Sequence, residues 1–195
     1  MLRPRQIDLR EPDQPWQSVP MPGASHDLDL VPLESDGDAL TMLGRFPAGF
    51  GRAVPCGYLV AEDLVVLDGR LELEGRTYGP ATLVHIPARF IRTSMATPDG
   101  CLVLAWFSGP AIICSVAELR PVVATGIRSV DLAAVDAETV FETGASRWRV
   151  VSASGWPSAA DGVDLDLTAW ARAGADWSGE LPERLFARVP RLSFD

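Results

Sequence analysis

The sequence predicts a mainly β protein centred on a compact antiparallel β-barrel. Three observations carry that expectation. Short apolar or alternating runs recur between residues 27 and 107. Gly, Pro and Asp residues interrupt them about every ten positions, a rhythm that breaks helices and suits a sandwich or closed barrel. The chain of 195 residues is 47% hydrophobic and 22% charged, enough apolar material for a self-sufficient core.

Residues 1–26 are Pro-rich and polar around a single Trp16, and read as an extended N-terminal arm laid over a body. The barrel is expected over 27–115. Asp27-Leu28-Asp29-Leu30-Val31 alternates with the period of two expected of a half-buried strand. Ala39 to Phe46 is a second strand, followed by the turn-rich Pro47-Ala48-Gly49-Phe50-Gly51. Tyr58 to Val60 and Leu64 to Leu67 are short apolar runs. Asp68-Gly69 is a hairpin signal, and Arg70-Leu71-Glu72-Leu73-Glu74 alternates after it. Thr82 to Ile86 is a strand stopped by Pro87. Cys101 to Phe107 is a buried strand entered from Pro98-Asp99-Gly100.

Residues 116–195 form a mixed C-terminal extension. Val130 to Phe141 reads as a short helix and Trp148 to Ser152 as a strand. Leu167 to Ala175 reads as a second helix, with Asp166 or Thr168 as its N-cap. Ile7-Asp8-Leu9 and Val130-Asp131-Leu132 echo each other. The extension is therefore either unrelated to the barrel or a degenerate second copy packed on it.

Composition excludes several functions. A net charge of −9 opposes nucleic-acid binding, which needs a basic surface. All 17 basic residues are Arg, so no lysine can form a Schiff base. Three cysteines without a CxxC pair give no disulfide framework and no Cys-rich zinc site. Two histidines, His26 and His85, cannot make a three-His metal site. No apolar run is long enough to cross a membrane, and the N-terminus lacks the apolar stretch of a signal peptide, so a cytoplasmic protein is expected. Gly49-Phe50-Gly51 opens no phosphate-cradling loop, and no GxSxG elbow occurs.

Several of these residues fall into a known pattern. Glu62, six residues and Gly69 resemble the end of the first cupin motif. Ala81 to Pro87, closing on Ile86-Pro87, resembles the second, and Pro98-Asp99-Gly100-Cys101 resembles the entry to the last strand. Over residues 27 to 110 the chain is similar to the cupin superfamily, in particular to the branch of ChrR-type anti-sigma cupins and acetylacetone-cleaving dioxygenases. The resemblance implies a jelly-roll barrel. It also implies a divalent metal held by two His, a Glu and a later His. At those positions this chain has Cys56, Tyr58, Glu62 and Arg92, with Arg89 where a glycine is usual. Only Glu62 is kept, and a permanent cation replaces one ligand. The expectation is therefore no metal. The alternative is a residual Zn or Fe site from Cys56, Glu62 and His85, a set whose chemistry suits either ion.

If Glu62 and Arg92 face inward as the resemblance implies, Arg92 supplies the charge that the metal would supply. Two readings follow. The pair is either a buried plug in a dead site or a working site. In the working site Arg92 anchors a carbonyl, enolate or carboxylate oxygen, Glu62 moves a proton, and Tyr58 donates to the same oxygen. Cys56 is either a small buried hydrophobe or part of the ligand site. Met42, Phe46, Phe90, Met95, Trp106 and Phe107 would form the apolar wall, or simply core. The leading expectation is a metal-independent protein binding a small, mostly apolar ligand, with isomerase, cyclase or lyase chemistry. A metal-dependent dioxygenase and a ChrR-type sensor module are the alternatives. Pairing through barrel edges makes a homodimer the default.

Overall fold

Side-chain alternation and turn chemistry together set the architecture. A computed structural model of the chain describes residues 6–36, 39–120, 126–144, 146–152, 160–172 and 184–190. The chain forms two units, Asp13–Val130 and Met1–Pro12 with Asp131–Asp195. Both are built from antiparallel strands. Among the described residues the only α-helix is the single turn Val116–Leu119, and no helix is long and apolar enough to cross a membrane.

The unit Asp13–Val130 is built on a seven-stranded sheet. Its strands lie in the order Arg128–Asp131, Thr82–Ile86, Glu62–Gly69, Cys101–Phe107, Ala39–Phe46, Leu28–Asp36 and Gln17–Val19. A four-stranded sheet runs Phe50–Arg52, Met95–Thr97, Leu71–Leu73, Arg76–Tyr78, and Cys56–Tyr58 pairs with Ile113–Ser115. One continuous core draws on both larger sheets, with Phe50, Leu71 and Leu73 from the second and Leu64, Val84 and Phe107 from the first. The Asp68-Gly69 turn forms as expected. Gly69 has φ +75, and a Cβ there would stand 2.2 Å from the Gly100 carbonyl oxygen, so glycine alone fits.

The arm divides between the units. Gln17–Val19 edges the seven-stranded sheet, and Trp16 lies under the Arg45 guanidinium at 4.3 Å while Arg45 bonds Asp29 at 2.8 Å. Gln6–Asp8 pairs instead with Ala169–Arg172. That second unit is a six-stranded sheet in the order Gln6–Asp8, Ala169–Arg172, Asp161–Asp164, Arg184–Pro190, Ser146–Ser152, Val140–Glu142.

Two expected helices are strands and turns. Val130 to Phe141 contains the end of the Arg128–Asp131 strand, a 3₁₀ turn at Leu132–Ala134, and the start of Val140–Glu142. Asp131 accepts from the Ala133 amide, and Asp136 accepts from the Glu138 amide and the Thr139 hydroxyl. These local side-chain bonds compete with helical ones. In Leu167 to Ala175, Leu167 has φ +57, and Asp164 accepts from the Thr168 and Ala169 amides. The turn so formed launches the strand Ala169–Arg172; residues 173–175 lie outside the described residues. The strand expected at Trp148 to Ser152 is present within Ser146–Ser152.

Gly57, in Cys56–Tyr58, lets the chain segment that carries Arg92 approach. A Cβ on Gly57 would stand 2.2 Å from the Phe90 carbonyl oxygen. Gly57→Ala should therefore destabilise the protein by about 1–3 kcal/mol, the usual cost of overpacking. Urea denaturation of the variant beside the wild type measures it.

Candidate functional site

The strand register sorts the candidate residues onto two faces. Glu62 lies opposite Ile86 on one neighbouring strand and Phe107 on the other. Leu64, Ala105 and Met42 continue that face, because partners and every second residue share a side. Asp63 lies opposite His85 and Trp106, so those two side chains belong to the other face.

Arg92 reaches Glu62 by a different route. After Pro87 the chain turns, with Phe90 N–H donating to the Pro87 carbonyl and Arg89 N–H to that of Tyr58. Arg89 has φ +62. This is the position where a glycine was expected, and a left-handed non-glycine residue costs about 1–2 kcal/mol. Arg92 and Cys56 then exchange backbone hydrogen bonds of 2.8 and 3.1 Å. That bridge fixes the Arg92 backbone beside the Cys56–Tyr58 strand.

The result is a buried ion pair. Arg92 Nη2 donates to Glu62 Oε2, and both residues are about 95% buried. The Arg92 guanidinium sits 4.7 Å over the Tyr58 ring, which in turn makes an edge contact with Phe107 at 5.0 Å. Burial opposes the Arg92 charge, but Glu62 and Tyr58 more than offset it and raise its pKa. Burial, then the charge of Glu62, pushes the Tyr58 phenol up to about 12. The Cys56 thiol is also raised by burial, with Arg52 and Arg92 pulling against the rise.

Glu62, Arg92 and Tyr58 line one cavity of about 130 Å³. Its other walls are apolar, among them Met42, Phe46, Leu64, Met95, Val103 and Phe107. The polar groups are not all satisfied. The buried Arg92 Nε–H has no hydrogen-bond partner among the described residues. The Tyr58 hydroxyl has no protein partner among them either.

Four expected positions lie elsewhere. Trp106 does not wall the cavity; it is on the opposite face, one residue out of phase with Phe107. Phe90 packs against the core and Cys56 is buried beside it, but neither lines the cavity. His85 is buried on the far face, where its Nδ1 bonds Asp63 at 2.6 Å. Cys56, Glu62 and His85 are therefore not brought together, and no group of three His, Cys, Asp or Glu residues suited to a metal occurs among the described residues. The donor set does not fit a cupin metal: Glu62 is engaged by a guanidinium, and the remaining positions hold a raised-pKa thiol and a neutral phenol. Val103, Ala105 and Ile113 line the cavity without having been singled out in the sequence.

The chain has the fold of the cupin superfamily. A candidate dioxygenase from Nostoc punctiforme matches over 95% of this chain and 79% of its own, with TM-score 0.55 and 12% identity. The protein Ylba from E. coli matches over 97% and 88%, with TM-score 0.54 and 11% identity. An acetylacetone dioxygenase from Acinetobacter johnsonii matches over 54% and 82%, with TM-score 0.43 and 15% identity. No protein-family model and no curated protein sequence matches the chain.

An ordinary tyrosine ionises near pH 10. The chain has two, Tyr58 and Tyr78. In an ultraviolet titration the step near pH 12 should vanish in Tyr58→Phe. The linkage has a definite sign: a raised pKa adds stability that is whole below pH 10 and lost as pH climbs towards 12. The stability difference between wild type and Tyr58→Phe should accordingly be flat up to pH 10 and change only above it.

Proposed function

We propose that this chain binds a small, mostly apolar molecule through a carbonyl, enolate or carboxylate oxygen, and moves a proton on it without a metal. One observation carries the reading: Arg92, whose buried Nε–H has no partner among the described residues, lines an apolar cavity together with Tyr58 and the carboxylate of Glu62. A buried donor without an acceptor costs about 1–3 kcal/mol. A ligand oxygen placed against the Arg92 Nε–H would remove that cost, with the Tyr58 hydroxyl as a second donor. The size of the cavity suits a small ligand, since about 150 Å³ admits a benzene-sized molecule.

The chemistry follows from the charges. Glu62 takes a proton from the carbon next to a ligand carbonyl, and the bonding electrons move to the oxygen. Arg92 and Tyr58 donate to the resulting enolate oxygen. Fixed donors in an apolar site suit this task because they need no reorganisation. In a β,γ-unsaturated ligand the charge extends to the γ-carbon, and return of the proton there moves the double bond and completes an isomerisation, with no oxidant or reductant consumed. Its raised pKa keeps Tyr58 protonated, as a donor, throughout the neutral range.

Glu62→Gln and Arg92→Met each leave a buried charge unpaired, at a cost of about 3–5 kcal/mol. The double variant removes both charges and should cost less than the sum of the two. Binding of a panel of small ketones and carboxylates, followed by ligand-observed NMR, should weaken about 10- to 100-fold in the double variant while its circular dichroism stays that of the wild type. Unchanged binding in the double variant would sink the proposal. So would one equivalent of a transition metal in purified protein.

A further inference from the structure

The cavity beside Glu62 has a polar end and an apolar end, and strand register defines both. Glu62 lies opposite Phe107, and Tyr58 touches Phe107 edge-on at 5.0 Å. Arg92 meets Glu62 at the same place. The three polar side chains are thus gathered at one row of the sheet. Two residues along the strands come Leu64, Ala105 and Met42, and two further still Val103, Gly44 and Leu30. At about 3.3 Å per residue the third row stands ~13 Å from the first. Residues of all three rows line the cavity, and so does Val19 of the arm, which pairs with Leu28 beyond Leu30.

The charges at the polar end close on themselves. Glu62 and Arg92 sum to zero. Tyr58 stays neutral, its phenol pushed up to about 12. Among the described residues lining the cavity there is no second cation. A ligand carboxylate would leave one net negative charge in an apolar space, and would compete with Glu62 for Arg92. A charge taken out of water without a partner of its own is costly. A neutral ligand keeps the sum at zero. The sum also holds through the proton transfer, because Glu62 becomes neutral as the negative charge passes to the enolate oxygen beside Arg92.

The hydrogen-bonding capacity is equally short and lies at the same end. Among the described buried side-chain atoms of the cavity lining, the Arg92 Nε–H is the one left without a partner. No polar side chain lines the Val103 end among the described residues. An oxygen placed there would lose its water and gain nothing in return.

We infer that the ligand is an electrically neutral ketone, with a single oxygen at one end and a hydrocarbon tail that runs past Ala105 towards Val103 and Leu30. The inference rests on the reading of the cavity given above and narrows it, since that reading admits a carboxylate as well. The Glu62–Arg92 pair rejects anions because its charge is already balanced, and the apolar rows reject a second oxygen.

Three probes of equal size separate head from tail: heptan-2-one, hexanoate and 6-hydroxyhexan-2-one. Hexanoate replaces the methyl group beside the carbonyl with an oxygen anion. 6-Hydroxyhexan-2-one ends its tail in a hydroxyl instead of a methyl group. Dissociation constants are measured by ligand-observed NMR at neutral pH. Wild type should bind heptan-2-one about 10-fold or more tighter than either of the others. Glu62→Gln removes the anion and leaves Arg92 charged, so hexanoate should become the tightest of the three and should raise the melting temperature of that variant. Wild type that binds hexanoate as tightly as heptan-2-one overturns the inference and leaves the cavity reading standing. Equal binding of 6-hydroxyhexan-2-one and heptan-2-one does the same, as does a folded Glu62→Gln that still prefers the ketone. Should that variant fail to fold, the wild-type comparison decides. Failure of all three probes to bind wild type overturns both.

Discussion

The buried pair of Glu62 and Arg92 is the interaction on which the rest of the site depends. Two ions removed from water keep their place only while each answers the other. Glu62 is fixed by the middle of a seven-stranded sheet, between Ile86 and Phe107. Arg92 is fixed by a bridge to Cys56 and by the bare backbone of Gly57, which admits the Phe90 carbonyl. The pair thus joins a central strand to an irregular segment that has no regular pairing of its own. It also gives a hydrophobic interior one fixed dipole, and Tyr58 is oriented against that dipole by the Arg92 guanidinium on one side and Phe107 on the other.

Apolar walls make those charges matter. In a low dielectric a fixed donor acts more strongly than in water, and an unmet donor is more costly. The same burial raises the Tyr58 phenol and the Cys56 thiol, so both stay protonated at neutral pH and Glu62 and Arg92 carry the charge in the cavity. Cys56 contributes through its backbone, and its thiol is not activated.

Much of this was legible in the sequence, and what was not has physical causes. Turn residues located the strands of the first unit, since Asp68-Gly69 and Ile86-Pro87 can be little else. The placement of Glu62, Arg92 and Tyr58 in one cavity follows from spacing that resembles the cupin motifs. Facing was harder. Cys101 to Phe107 is apolar on both sides, so no polar residue marks its phase, and Trp106 and Phe107 could not be told apart. Thr82 to Ile86 has the same ambiguity, and only its register with Asp63 turns His85 away from the cavity. The two lost helices fell to Asp131, Asp136 and Asp164, whose carboxylates bond nearby amides, a competition that a propensity scale does not weigh.

The edge strand that Gln6–Asp8 lends to the C-terminal sheet limits how this chain can be divided. Gln6–Asp8, near the beginning, completes the sheet built from the C-terminal residues, and Arg128–Asp131 borders the sheet built from the residues before it. No single cut in the polypeptide yields two intact halves. Severing the connection after Leu119 strips a border from both sheets at once, baring the backbone of Thr82–Ile86 in one fragment and of Ala169–Arg172 in the other. Naked borders of that kind recruit foreign strands. Genetic shuffling of the C-terminal half would therefore have to carry the Gln6–Asp8 piece with it.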